Sequence, residues 1–137
     1  MKTVSDIMVT KLITVQEMDS VHHARNIIKE KGIRHIPVVD DKGMYKGLLT
    51  QRDMLSHAFT IVEKYGMSRL QRYEEREQAV ELMAADAMSV ASDTLLIDAG
   101  EHFLCHKHSC LPIVDEGELK GIVTSIDFVK LALELLK

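Results

Sequence analysis

The chain has 137 residues, nearly half of them apolar, a formal net charge of −4 and no tryptophan. That length suits one compact unit, or two small lobes sharing one aliphatic core. The charge and the lack of a Lys/Arg-rich run exclude a nucleic-acid field, no apolar run approaches bilayer length, and two cysteines cannot build a disulfide framework.

Met1-Lys2 is not followed by the apolar stretch of a secretory signal, so we read a cytoplasmic protein with reduced thiols. Thr3–Met8 is a lead-in echoed by Met83–Met88. Ile13-Thr14-Val15 reads as a short β segment matched by Ser89-Val90. In that register the first copy carries extra residues between Met8 and Thr14, expected in a surface loop. Asp19-Ser20 offers an N-cap for a helix with Val21, Ala24, Ile27 and Ile28 on one face, stopped by Gly32. Its counterpart is expected to start near Ser92-Asp93 and to carry Leu96, Ala99, Phe103 and Leu104 inward.

Each helix pattern leads into a hairpin by turn chemistry. The first runs Ile36–Val39, Asp40–Gly43 and Tyr45–Leu49; the second runs Leu111–Val114, Asp115–Gly117 and Leu119–Val123. Both prolines of the chain, Pro37 and Pro112, fall at the same place in the two copies. Gly47-Leu48-Leu49-Thr50-Gln51-Arg52-Asp53 returns as Gly121-Ile122-Val123-Thr124-Ser125-Ile126-Asp127, and a helical pattern follows each. A self-similar chain is read as a repeat first. Each copy reads β-α-β-β-α, and the fold class is α+β (mixed α/β) with an internal pseudo-twofold. We place repeat 1 over 1–63, a connector helix over 64–80 and repeat 2 over 81–137.

The connector follows Gly66, opens with the capping-box pattern Ser68-x-x-Gln71 and is expected to run helical to Met83. Its charge density favours a solvated helix over a docking surface. The helices after Thr50 and Thr124 are apolar on two faces. Met54, Ala58 and Ile61 form one stripe of the first, and Leu55, Phe59 and Val62 the other. In the last helix the stripes are Ile126, Val129, Leu133 and Leu136, and Phe128, Leu131, Ala132 and Leu135. A helix apolar on two faces must bury both, which predicts a homodimer built on these helices.

Thr-x-x-Asp at a strand-to-helix junction has two readings. It is a capping box, worth about 1 kcal/mol and needing no ligand. It is also a ribose site: a carboxylate at a helix start accepts both hydroxyls of a diol, as in other nucleotide sites. The helix start offers N–H groups to a phosphate, and Arg52 adds a planar fork.

His102, Cys105, His106, His108 and Cys110 form the densest group of ligand-type side chains, and His102 and His106 have metal-ligand spacing. They align with Ile27, Glu30, Lys31, Ile33 and His35, an ordinary helix-to-strand turn, so we assign no metal. No nucleophile–base pair, carboxylate pair or Gly-rich phosphate loop stands out, and no catalysis is expected.

With both copies laid out, the chain resembles the cystathionine-β-synthase (CBS) domain family, as a tandem pair. The residues carrying the resemblance are Asp6-Ile7-Met8, His35-Ile36-Pro37-Val38-Val39-Asp40, Gly47 through Asp53, and their second-half partners. The resemblance implies two repeats packed by their sheets into a disc-like module, commonly dimeric. Two clefts between the repeats would bind AMP, ADP, ATP or S-adenosylmethionine as a regulatory ligand. In one cleft Thr50 and Asp53 would hold the ribose, with Arg52, Arg34 and His35 near phosphates and Ser89, Val90, His108 and Ser109 around the adenine. The other would use Thr124 and Asp127, with Cys110 nearby, facing Thr14, Val15, Ile33 and Arg34. Since Arg52 is replaced by Ile126, and Arg34-His35 by Ser109-Cys110, the Asp53 cleft is the better one for a polyphosphate. The expected function is a stand-alone regulatory module signalling to a separate target protein. The alternatives are a purely structural dimerisation module and a metal sensor.

Overall fold

The computed structural model describes residues 2–106 and 109–137. They divide into two compact units, Ile13–Ala87 and a second made of Met1–Leu12 with Met88–Lys137. Among the described residues, each unit holds a cluster of buried apolar side chains.

In the first unit, β1 (Val15–Gln16) lies parallel to β2 (His35–Val39), which pairs antiparallel with β3 (Tyr45–Thr50). Helix α1 (Val21–Lys31) begins where Ser20 Oγ accepts the His23 N–H at 3.0 Å and ends at Gly32, whose φ of 64° places it in the left-handed region. Its Val21, Ala24 and Ile28 pack with Val15, Ile36, Val38, Leu49 and Met54. Helix α2 (Gln51–Tyr65) follows β3 directly and turns Met54, Ala58 and Ile61 inward.

The segment after α2 departs from expectation. It is not a solvated helix running to Met83. A 3-10 turn (Met67–Arg69) leads into α3 (Leu70–Arg76), which docks on α1 and α2. Glu74 is 1% exposed, and its carboxylate accepts from Arg25 Nε and Nη2, each at 2.6 Å. Tyr73 stacks on Tyr65, and His57 Nε2 meets Glu77 Oε2 at 2.5 Å. The helix stops because the Glu77 carbonyl is taken by the Val21 N–H at 2.8 Å, leaving Glu77 extended. A separate α4 (Ala79–Leu82) starts after it, with Glu81 accepting from the Gln78 N–H. Ser68-x-x-Gln71 caps nothing: Arg69 stands at the N-cap of α3, and the Gln71 amide donates to Glu75.

In the second unit α5 (Leu96–Cys105) precedes a hairpin of β4 (Cys110–Asp115) and β5 (Glu118–Thr124), and α6 (Ser125–Leu136) follows. Val4, Ala99, Leu111, Ile113 and Val123 form its core, against which Phe103 and Phe128 meet edge to face. Helix α5 starts later than Ser92-Asp93, because the Ser92 N–H is held by the Asp115 carboxylate at the hairpin turn. Leu104, expected inward, is exposed.

The two lead-ins are exchanged. Val9 bridges to Ile122 with two backbone bonds of 2.9 and 3.0 Å, extending the second repeat's hairpin. Ala84 bridges to Leu48 in the same way, at 2.9 and 3.1 Å, extending the first repeat's. Gly47 and Gly121 make room for these crossings. A Cβ on Gly47 would lie 2.9 Å from the Ala84 carbonyl oxygen, and one on Gly121 2.9 Å from that of Val9.

The crossings also correct the register read from sequence. Met8-Val9 corresponds to Met83-Ala84, not to Met88-Ser89, so the first copy carries no extra residues before Thr14. The bridges Thr3–Leu95 and Ser20–Gln78, and the parallel pairings Val15–Val38 and Val90–Ile113, repeat at the same offset. The offset changes only at the hairpin turns. The second turn is tight, with Glu116 and Gly117 both at positive φ, while the first is one residue longer and is held by Asp40 accepting from Lys42 and Met44.

Helices α2 and α6 each leave apolar surface uncovered within the chain. Phe59 is 72% exposed, and Ile126, Val129, Leu133, Leu135 and Leu136 lie bare along α6, while Phe128 and Leu131 are partly covered.

Candidate functional site

In the first unit the expected residues gather where β2 and β3 meet α2. His35 pairs with Thr50 across the hairpin, and the Gln51 N–H donates to the Arg34 carbonyl at 2.9 Å. This fixes Arg34, His35, Thr50, Arg52 and Asp53 around one helix start. Thr50 is the N-cap: its Oγ1 accepts from the Asp53 N–H at 3.1 Å. The Asp53 carboxylate itself is exposed and has no hydrogen bond or ion pair among the described residues. Arg34 and Arg52 are likewise exposed, with guanidiniums in no ion pair among the described residues. Thr14 and Val15 lie on or beside β1, the parallel neighbour of β2, with Val15 buried and Thr14 and Ile33 half-buried.

The second unit builds the same frame with different chemistry. Cys110 pairs with Thr124, and the Ser125 N–H donates to the Ser109 carbonyl at 3.1 Å. Ser109 and Cys110 are therefore the structural counterparts of Arg34 and His35, and Ile126 that of Arg52. Here the Asp127 carboxylate closes a capping box: one oxygen accepts from the Thr124 N–H at 2.8 Å and from its hydroxyl at 3.2 Å. Asp127 also borders a shallow open depression lined by Asp6, Ile7, Lys130, Leu131 and Glu134. Burial pushes the Cys110 thiol up to about 12, with the Asp127 charge adding to the effect. Ser89 and Val90 are half-buried at the bridge to β4, and His108 lies outside the described residues.

The two Thr-x-x-Asp turns thus differ in how they cap. At Thr124 the aspartate is engaged in the cap. At Thr50 the threonine caps alone and the carboxylate is left over.

The group His102, Cys105 and His106 does not converge on a point. The two imidazoles stack face to face at 4.3 Å, His106 Nδ1 lies 3.1 Å from the His102 carbonyl oxygen, and Cys105 is exposed. No set of three His, Cys, Asp or Glu side chains among the described residues could hold a metal ion. No helix among them is long and apolar enough to cross a membrane.

Comparison with known proteins places this arrangement. The chain is 30% identical over 123 residues to the CBS domain-containing protein YhcV of Bacillus subtilis, covering 90% of this chain and 80% of that one. It spans only 32% of an uncharacterized protein of Methanocaldococcus jannaschii that it matches at 31% identity over 137 residues, 98% of this chain. Among solved structures, CBSX2 in complex with AMP superposes with a TM-score of 0.82 at 30% identity, covering 98% of both chains. Hypoxic Response Protein I, with two coordinated zinc ions, superposes with a TM-score of 0.74 at 26% identity, covering 96% of this chain and 99% of that one. The profile of the CBS domain matches residues 4–69 and again 79–134. The chain belongs to the CBS domain family, as a tandem pair.

Proposed function

We propose that this CBS pair is a regulatory module that binds an adenosine-containing ligand between its repeats and signals the bound state to a separate partner protein. The observation that carries the reading is Asp53. Its carboxylate, at the first turn of α2 after the capping Thr50, has no hydrogen bond or ion pair among the described residues, and the backbone brings the exposed Arg34 and Arg52 to the same helix start. A ribose diol can donate two hydrogen bonds to such a carboxylate, and the helix start and the arginine forks attract phosphate. That a structure 30% identical over nearly its whole length holds AMP supports adenosine as the ligand class.

Thr50, Arg52, Asp53, Arg34 and His35 would then take ribose and phosphate, with Ser89, Val90, His108 and Ser109 enclosing the base. Thr124, Asp127 and Cys110, with Thr14, Val15, Ile33 and Arg34, would form the second site. Such a ligand acts by binding one arrangement of the module better than another. No catalytic step is assigned to the chain. The bare apolar residues of α2 and α6 support a homodimer.

A thermal-shift and calorimetric screen against AMP, ADP, ATP and S-adenosylmethionine tests this reading. We expect saturable binding that weakens at least tenfold in Asp53→Ala or Asp127→Ala. Affinities unchanged in both variants would refute the ribose assignment, and absence of any binding would leave a structural dimerisation module.

A further inference from the structure

Helix α3 covers one face of the first unit, and the matched face of the second carries no helix among the described residues. In the register set by the bridges and hairpins, Gly100 stands where Arg25 does, Ile97 where His22 does and Leu104 where Lys29 does. On α6, Leu131 and Leu135 match His57 and Ile61 of α2. Ile61 is 5% exposed, whereas Leu135 is 74% exposed, and Ile97 and Leu104 are bare as well. The two side chains that grip the α3 segment, Arg25 through Glu74 and His57 through Glu77, are thus replaced by residues without charge. Gly100 admits the Phe128 ring, which a Cβ there would meet at 3.3 Å, so the floor between α5 and α6 is apolar too. At Leu131 this face runs into the shallow depression, where Asp6, Asp127 and Glu134 outnumber the cation Lys130.

We infer that the α5–α6 face docks a short amphipathic helix of the partner protein, lying as α3 lies on the first unit, with its apolar side on Ile97, Leu104 and Leu135 and a cation over the acidic depression. The inference rests on the separate-partner half of the reading above and not on the ligand. The first unit supplies the precedent for size and direction: α3 is about two turns long, and its C-terminal end lies toward His57, the residue that Leu131 matches. A basic residue in the last turn suits both the helix dipole and the carboxylates at that end. A replica of α3 does not fit, because its glutamate would be buried over Gly100 with no guanidinium to receive it. Nor does the self-association stripe reach this face, since Leu133 points about 160° away from Leu131 and Leu135 at 3.6 residues per turn.

Fluorescence anisotropy of labelled synthetic peptides tests this on the full chain. The probe carries the sequence 67–76 with Glu74→Leu, extended with alanine to about 16 residues so that it is helical. It should bind saturably, at least tenfold tighter than the same peptide with Glu74 retained or with Arg76→Glu added. In the protein, Leu104→Glu and Leu135→Glu alter exposed positions and should each weaken probe binding at least tenfold, while Leu133→Glu should leave it within twofold. No binding of the probe, or equal binding to the Leu135→Glu protein, would overturn the docking face and leave nucleotide binding untouched. Dissociation of a dimer by Leu104→Glu but not by Leu133→Glu would overturn it in favour of a second copy of the chain. Probe binding as expected in a protein that binds no nucleotide would support the docking face and remove the ligand reading alone.

Discussion

Arg25 and Glu74 grip each other through two contacts of 2.6 Å, between helices 49 residues apart in sequence. The carboxylate is 1% exposed while the guanidinium side chain is 31% exposed, so the two partners are not equally replaceable. Arg25→Ala strands a buried charge and should cost about 3 kcal/mol. Glu74→Ala leaves an arginine that can reach water, and should cost about half as much. Urea unfolding of both variants checks the order; equal losses would mean that packing of α3 dominates over the ion pair.

Gly47 and Gly121 admit the exchanged lead-ins. In each case a new Cβ would meet a methionine sulfur, Met83 or Met8, which can swing aside, and a backbone carbonyl oxygen at 2.9 Å, which cannot. Gly47→Ala and Gly121→Ala should each destabilise by about 1–3 kcal/mol. Chemical denaturation would read this, with Gly43→Ala, where space is open but φ is positive, as a comparison for backbone strain alone.

The two cysteines should differ in reactivity. Cys105 is exposed, and Cys110 is buried with its thiol pushed up to about 12. At pH 8 a disulfide reagent should label one thiol rapidly in the native protein and two in denaturant. The raised value favours the protonated thiol only in the folded state. Cys110 therefore withdraws stability as pH rises above the free-thiol value of about 8.5, a loss that Cys110→Ala should remove.

The bare residues of α2 and α6 predict self-association. Phe59→Glu and Leu133→Glu alter exposed positions, so the fold should persist while the mass measured by light scattering falls from dimer to monomer. A wild-type protein that is already monomeric at micromolar concentration would remove the proposal.

Much of this architecture could be read from the chain because paired features fix it. Pro37 with Pro112, Gly47 with Gly121 and Thr50 with Thr124 each mark a backbone requirement that recurs in both units. The lead-in register was misleading for a physical reason. Asp86-Ala87-Met88 looks like Asp6-Ile7-Met8, yet the backbone needs only a carboxylate at the cap and a residue that can cross a glycine, which Glu81 and Met83-Ala84 supply. The docking of α3 was hidden because its most buried residue is a glutamate, and a polar pattern carries no sign of a partner 49 residues away. The Thr-x-x-Asp turns are legible in both copies, but which aspartate is engaged in a cap depends on side-chain rotamers that no motif encodes.

A crystal structure of the protein grown with AMP bears most directly on the central claim. The account predicts ribose hydroxyls within about 3 Å of the Asp53 carboxylate and phosphate oxygens facing Arg34 or Arg52. Nucleotide density elsewhere on the protein, with Asp53 touching no part of it, would contradict that claim.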